Sequence, residues 1–127
     1  MKLEPKPAKN RYFFAIVDES QLMALSGMLD SVVAILREDE GLTVVFSEDI
    51  KDDIEGLSEK PAIGPFALIS MAAETDLNAV GILAKITAAL AKEKVAVNPF
   101  SGYLHDHIFV PSDKKDAAMA TLKALEI

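Results

Sequence analysis

The residues best suited to bind a small molecule form one short run, Thr75-Asp76-Leu77-Asn78-Ala79-Val80-Gly81. This run follows an apolar segment typical of a strand and precedes a helical pattern. The N–H groups at the start of a helix have no partner within the helix, so they can bind a carboxylate or another anion. Asp76 adds a carboxylate that either contacts a ligand amine or caps the helix. Gly81 lets either a ligand or a packed strand approach the backbone.

A second acidic side chain, Asp106, lies where a turn leads into an apolar strand pattern. Its carboxylate can contact a ligand amine, and a structural contact within the turn is the alternative. Asn98, Phe100 and Ser101 come shortly before Asp106, and backbone carbonyls in that stretch offer the amine another partner. The predicted ligand site therefore comprises Asp76, Leu77, Asn78, Ala79, Val80, Gly81, Asn98, Phe100, Ser101 and Asp106.

Two histidines, His105 and His107, share one face if this segment is extended. Two imidazoles can bind a metal ion, but a metal site needs three or four ligands and no third is evident. A metal-dependent enzyme is therefore only the weakest alternative, and no metal or cofactor is predicted. The sequence also shows no nucleophile–base arrangement and no phosphate-binding glycine loop, so we expect a protein that is not an enzyme.

Hydrophobic spacing and turn residues predict the elements that position these residues. In the stretch Val32–Leu36, helical spacing competes with strand propensity, and we favour a strand because these residues are mostly β-branched. The acidic stretch at 47–60 is predicted to be a solvated loop. In order, we expect a strand at 11–17, a helix at 20–29, strands at 32–37, 42–47 and 66–71, a helix at 79–93, strands at 95–97 and 107–110, and a helix at 114–125.

This order predicts an α+β fold with a mostly antiparallel sheet and helices on one face. The second half alone supplies βαββα, a ferredoxin-like unit that lacks one strand. We expect Leu42–Phe46 to fill the vacant place, because an open sheet edge invites aggregation. Residues 1–10 are predicted to form a flexible arm, since Pro5 and Pro7 prevent a helix there.

Composition limits the classes of partner. The 127 residues carry 20 acidic and 13 basic side chains, a net charge of −7, with no basic stripe, so we expect no nucleic-acid partner. No apolar run approaches the roughly 20 residues that span a bilayer, and the first ten residues lack the apolar core of a signal peptide. The chain has no cysteine, which fits a reducing compartment, and we expect a cytoplasmic protein without a membrane partner.

The segment 67–110 resembles an ACT domain, most closely those of small tandem-ACT proteins related to aspartate kinase regulatory domains and to cytosolic arginine sensors of animals. Three stretches carry the resemblance. Asp76-Leu77-Asn78-Ala79-Val80-Gly81-Ile82-Leu83 is similar to the family's D-F-x-L-T-G-I-L, Val95-Ala96-Val97 follows at the expected distance, and Ser101–Val110 is similar to S-T-Y-x-T-D-Y-I-L-V. Gly41–Val45 is similar to another family strand. The glycine usual before the second strand is replaced by Lys94.

The resemblance implies a tandem-ACT, ferredoxin-like architecture. We expect a degenerate ACT-like half at 11–60 and an ACT domain at 61–127, completed by the strand at 42–47. It implies a regulatory or sensor module that binds an amino acid or similar metabolite at an interface between ACT units. ACT units usually pair side by side, so a homodimer or higher oligomer is expected. The alternative is a structural protein–protein interaction module without a ligand.

Overall fold

A computed structural model describes all 127 residues, and the chain divides into two compact units. The N-terminal unit comprises Asn10–Pro65. The C-terminal unit comprises Phe66–Ile127 together with the first nine residues, Met1–Lys9. Each unit has its own hydrophobic core.

The elements alternate much as the sequence predicts. The strands are β1 (Pro5–Val17), β2 (Val32–Glu38), β3 (Gly41–Ser47), β4 (Ile63–Met71), β5 (Asn98–Ser101) and β6 (Asp106–Pro111). The α-helices are α1 (Leu22–Ser26), α2 (Lys51–Glu55), α3 (Ile82–Lys92) and α4 (Lys115–Ala124). The fold is α+β, ferredoxin-like and antiparallel, which confirms the predicted fold class. None of the four helices has both the length and the apolar composition needed to cross a bilayer.

The N-terminal unit has the strand order β2-β3-β1. Both pairings are antiparallel, and residues 32–38 form a strand, as favoured over a helix. Alternate residues of β3, namely Leu42, Val44 and Phe46, enter the core beside Leu25 of α1 and Ile54 of α2.

Two predictions for this half need correction. The stretch 47–60 is not only a solvated loop, because α2 lies in it and Ile54 is fully buried. The proposed transfer of the strand at 42–47 to the second half is also wrong, since β3 pairs with β1 and β2. Its inward-facing side chains pack in the core of their own unit.

In the C-terminal unit, the place beside β4 belongs to the start of the chain. The amides of Ala73 and Ala72 donate to the carbonyls of Leu3 and Glu4, at 3.1 and 2.9 Å. The side chain of Leu3 is 1% exposed and belongs to the core. The prediction of a flexible arm at 1–10 is therefore wrong. Prolines that exclude a helix are compatible with an extended strand, and the buried Leu3 anchors this one.

The remaining strands of the C-terminal unit follow the order β4-β6-β5, with both pairings antiparallel. Helices α3 and α4 cover one face through Ile86, Leu90, Ala118 and Leu122. The strand predicted at 95–97 forms later, at Asn98–Ser101. There, Pro99 lies in the outermost strand, where a missing N–H is tolerated. Lys94 adopts a positive φ of 59°, the conformation that explains the family's glycine at this place.

Candidate functional site

The loop from Ala72 to Gly81 connects β4 to α3 in the C-terminal unit. The backbone N–H of Thr75 donates to the Leu104 carbonyl at 2.9 Å. Within the loop, the Asp76 carboxylate accepts from the Asn78 N–H at 2.7 Å, and the Asp76 carbonyl accepts from the Ala79 N–H at 2.9 Å. The Thr75 bond holds the loop against the turn that joins β5 to β6, and the two Asp76 bonds close a turn within the loop.

Asp106 links this loop to the end of β5. Its side chain is only 8% exposed. One carboxylate oxygen accepts from the Thr75 hydroxyl at 3.1 Å and the other from the Ser101 hydroxyl at 3.0 Å. No salt bridge reaches the carboxylate. Since a carboxylate accepts about four hydrogen bonds, Asp106 keeps acceptor capacity for a further donor.

The loop, the start of α3, the end of β5 and the start of β6 line a cavity of about 190 Å³, called here the loop cavity. Its lining combines hydroxyl and carboxylate groups with aliphatic side chains. It comprises Thr75, Asp76, Leu77, Ala79, Ile82, Leu83, Ser101 and Asp106. A second depression of about 430 Å³ adjoins it, lined by Glu74, Thr75, Asp76, Leu77, Asn78, Tyr103 and Leu104.

Helix α3 begins at this cavity without a side-chain cap. Gly81 is its N-cap residue and no side chain caps the helix, so the alternative in which Asp76 caps it is wrong. The Asp76 carboxylate instead closes a local turn onto the Asn78 N–H. The Lys85 N–H donates to the Gly81 carbonyl, the first bond of the helical ladder. The N–H groups of Ile82, Leu83 and Ala84 come before that bond and have no acceptor in the helix.

Gly81 is required by its backbone conformation. Its φ is +91°, a value that side-chain-bearing residues rarely adopt, and a Cβ placed there would have no atom within 4 Å. The open space excludes the close packing of helix on sheet considered for this residue. It leaves the approach to the start of α3 unobstructed.

The cavity brings together five of the ten predicted site residues: Asp76, Leu77, Ala79, Ser101 and Asp106. Asn78 lines the adjoining depression, and Val80, within the loop, is 97% exposed. Asn98 and Phe100 line neither cavity. The ring of Phe100 instead packs edge-on against the ring of Phe109, with 5.7 Å between the ring centroids.

Three lining residues were absent from the ten predicted site residues: Thr75, Ile82 and Leu83. Of these, only Thr75 belongs to the run at 75–81 that the sequence favours for binding. Ile82 and Leu83 belong to the D-L-N-A-V-G-I-L motif, so the motif itself carried the signal for them. Thr75 precedes that motif, and only the fold reveals its contact with Asp106.

The two histidines have separate partners. The Nδ1 of His107 is hydrogen-bonded with the Ser70 hydroxyl at 2.7 Å, and the Nδ1 of His105 lies 3.4 Å from the Ala73 carbonyl. Burial lowers the pKa of His107, and the nearby His105 lowers it further against the opposing effect of Asp106. The structure contains no group of three or more His, Cys, Asp or Glu side chains arranged to bind a metal ion.

The chain is similar to a known protein family and to solved structures. A family model described as "ACT domain" matches residues 64–124. A protein of unknown function from Vibrio cholerae, described as a possible transport protein, is 31% identical, with a TM-score of 0.82 over 100% of this chain and 92% of that chain. No curated protein matches the chain.

Two further solved structures share the fold at low sequence identity. The ligand-free regulatory subunit of aspartate kinase from Thermus thermophilus is 14% identical, with a TM-score of 0.70 over 97% of each chain. A protein from Agrobacterium tumefaciens is 18% identical, with a TM-score of 0.71 over 96% of this chain and 87% of that chain.

Proposed function

Because the chain belongs to the ACT domain family, we propose that it is a non-enzymatic regulatory or sensor module that binds an amino acid or a similar small metabolite. The observation that carries the proposal is the loop cavity at the uncapped start of α3. Unpaired N–H groups, two carboxylates and aliphatic side chains converge there, and a zwitterion with a side chain needs all three kinds of partner.

The ligand's carboxylate binds at the N–H groups of Ile82–Ala84. The loop amides of Asn78 and Ala79 are not free for this role, because they already donate to Asp76. The ligand's ammonium group binds to the exposed Asp76 or to the remaining acceptor capacity of Asp106. The side chain of the ligand packs on Leu77, Ile82 and Leu83.

The proposal also includes an assembly in which the ligand lies at an interface between ACT units. The loop cavity is open to solvent, and Leu77, which lines it, is exposed together with Val80 of the loop and with Tyr103 and Leu104 of the adjoining depression. Apolar side chains in such numbers beside one opening are typical of a surface that a partner covers. A cytoplasmic location, where free amino acids are abundant, remains part of the same proposal.

A structural interaction module without a ligand is the second candidate. It is favoured by the hydroxyl partners of Asp106, because Thr75 and Ser101 satisfy this carboxylate in part without any ligand. On this alternative, the loop residues serve only to shape a protein-binding surface.

Thermal-shift screening against the 20 amino acids distinguishes the candidates. A ligand at 100 times its dissociation constant adds about 2.7 kcal/mol to the free energy of unfolding, which raises Tm by several degrees. A panel in which no amino acid changes Tm would favour the structural module.

Calorimetry on Asp76→Asn, Asp106→Asn and a control variant then tests the site. Asp76→Asn removes a charge but keeps the oxygen that accepts from the Asn78 N–H, so the fold is preserved. If Asp76 binds the ammonium group, affinity falls by about 1.5–3 kcal/mol, or roughly 10- to 150-fold. Asp113→Asn, at an exposed residue outside the cavity, is the matched control. Equal affinities for wild type, Asp76→Asn and Asp106→Asn would place the ligand elsewhere.

A further inference from the structure

The two units differ sharply in charge. The N-terminal unit, Asn10–Pro65, contains 12 Asp and Glu residues but only four Lys and Arg residues, a net charge of −8. The rest of the chain contains eight acidic and nine basic side chains, a net charge of +1. The negative charge of the protein therefore resides in the N-terminal unit. The field around that unit attracts cationic partners and repels anionic ones.

Most carboxylates of the N-terminal unit are not neutralised within it. Three of its four basic side chains form salt bridges, namely Arg11 with Glu48, Arg37 with Glu19 and Lys51 with Glu55. The other nine acidic side chains of the unit are in no salt bridge. This excess charge is not in itself a binding site. It determines which kind of partner an apolar surface beside it accepts.

Such an apolar surface lies on the helical turns between β1 and β2. The chain stays in successive helical turns from Glu19 to Ser31, with α1 in the middle. Leu25 of α1 is fully buried, whereas Leu22 and Leu29 are 50% and 55% exposed. Leu22 precedes Leu25 by three residues and Leu29 follows it by four, so the two flank the buried side chain. Met23 is 82% exposed beside them.

Strand β2 contributes a fourth apolar side chain, Ile35, which is 37% exposed. Ile35 lies opposite Val44 of β3, a core residue, so its side chain is on the face of the sheet that α1 covers. Arg37 follows on the same face and is salt-bridged to Glu19. Because Glu19 precedes Leu22 by three residues, this salt bridge turns the side of the helical run that carries Leu22 toward β2. The α1 patch is defined here as Leu22, Met23, Leu29 and Ile35.

Exposed carboxylates border the α1 patch along the chain. Asp18 and Glu19 come just before Leu22, and Asp30 comes just after Leu29. Of these three acidic residues, only Glu19 is salt-bridged. An apolar centre with a polar rim is the usual composition of a protein interface. A flexible methionine at that centre adapts to the shape of the surface that covers it.

Charge and backbone geometry indicate what covers the α1 patch. A second copy of the N-terminal unit would bring another charge of −8 to it, and like charges oppose association. A segment with Lys or Arg beside its apolar residues instead gains charge attraction as well as apolar contact. Three of the four patch residues come from helical turns, whose backbone groups bond within the turns. A helix suits such a surface because it satisfies its own backbone hydrogen bonds.

We propose that the α1 patch docks a basic amphipathic helix of a partner protein. The apolar side of that helix packs on the four residues of the α1 patch, and its Lys and Arg side chains lie against the carboxylates of the rim. The loop cavity lies in the C-terminal unit, so this docking does not depend on the proposed amino acid ligand and is measured separately from it.

A synthetic peptide tests the chemistry of the partner. The probe is a fluorescein-labelled helix of leucine and lysine, about 18 residues or five turns long, with all leucines on one side. We expect a saturable rise in fluorescence anisotropy when it is titrated with the wild-type chain. A peptide of the same composition with leucines around the whole helix should bind at least about tenfold more weakly, and one with glutamate in place of lysine should not bind. Raising the salt from 50 to 500 mM should weaken binding about tenfold.

Surface variants locate the contact. The double variant Leu22→Ser, Met23→Ser changes two exposed residues of the α1 patch, and we expect it to raise the dissociation constant of the leucine–lysine peptide about tenfold or more. Ile63→Ser, at a 67% exposed residue of the same unit but outside the patch, is the matched control and should bind like the wild type. Thermal melts of both variants check that the fold is intact.

Three outcomes overturn the proposal. The first is no saturable binding of the leucine–lysine peptide at 100 µM chain. The second is equal binding by the wild type and the double variant, or equal binding of the lysine and glutamate peptides. The third comes from sedimentation equilibrium without peptide. A wild-type dimer that the double variant converts to a monomer would show that a second copy covers the α1 patch.

Discussion

The two units contain the same order of elements but begin their first helices differently. In each, a strand leads to a helix, two further strands and a second helix. In the N-terminal unit, Asp18 follows β1 directly, and its carboxylate caps the turn before α1 by accepting from the Ser20 N–H at 2.9 Å. In the C-terminal unit, ten residues separate β4 from α3, and the helix starts at Gly81 without a side-chain cap.

This difference shows what a binding loop requires beyond the fold. Neither α1 nor α3 has a side-chain cap of its own, but the capped turn Glu19–Gln21 runs directly into α1, so the short connection leaves no room for a binding loop beside that helix. The longer loop instead brings Asp76 and Thr75 over the start of α3, opposite Ser101 and Asp106. The two helices also differ in length: α1 has five residues and α3 has eleven.

The largest expected effect comes from the N-terminal segment that packs into the C-terminal unit. Leu3→Ala should lower the free energy of unfolding by about 2–5 kcal/mol, because it opens a void in a fully packed core. Chemical denaturation measures this, with the exposed Leu29→Ala as control. If the free energy of unfolding falls by less than about 1 kcal/mol, the prediction that residues 1–10 form a flexible arm would be supported instead.

The next effect concerns the buried carboxylate. Asp106→Ala removes the acceptor of the Thr75 and Ser101 hydroxyls, so we expect a loss of about 1.5–3 kcal/mol of unfolding free energy, the range for hydrogen bonds to charged groups. Denaturation of Asp113→Ala, at an exposed site, provides the reference. Equal stability of the two variants would show that the hydroxyl contacts contribute nothing to the fold.

A smaller effect is expected at the helix start. Gly81→Ala introduces no clash, but it forces a left-handed conformation at a cost of about 1–2 kcal/mol. The counterpart Gly27→Ala, after α1, has a φ of −77° and should be neutral or slightly stabilising. The difference between their melting temperatures checks this, and a Gly81→Ala protein as stable as Gly27→Ala would contradict it.

The smallest effect is a pH dependence at His107. Burial holds the pKa of native His107 below 6.5, the pKa of histidine in the unfolded chain. Between the native and the unfolded pKa, the unfolded chain therefore binds a proton that the native chain does not. The contribution of His107 to the free energy of unfolding is therefore fully present above pH 6.5, and it is lost as the pH falls from 6.5 through the native pKa. Thermal melts of wild type and His107→Gln from pH 5 to 8 should show a shallower acid-side slope for the variant. If Tm depends on pH in the same way for both proteins, His107 does not cause the loss of stability at low pH.

Local patterns predicted most of the C-terminal unit. Strand propensity located β4 and β6, and helical spacing located α3 and α4, because each has a regular apolar face. The place of Leu3 could not be predicted, since it depends on contacts with residues about 70 positions away.

The candidate site was predictable in composition but not in its hydrogen bonding. The loop motif and Asp106 were identified by residue type and resemblance. However, an aspartate before a helix can form either a cap or a local turn, and sequence alone cannot decide which. The Asp76 carboxylate forms a local turn with the Asn78 N–H, and α3 starts at Ile82, later than the predicted start at 79.

The most direct test of the proposed site is an amide NMR titration of the wild-type chain with the amino acid that raises Tm most. We predict saturable shifts at Thr75–Leu83 and at Ser101–Asp106, with no comparable shift at Asp18–Leu22, the corresponding helix start of the N-terminal unit. Saturable shifts confined to Asp18–Leu22, or none at Thr75–Leu83, would contradict the assignment of the loop cavity as the ligand site.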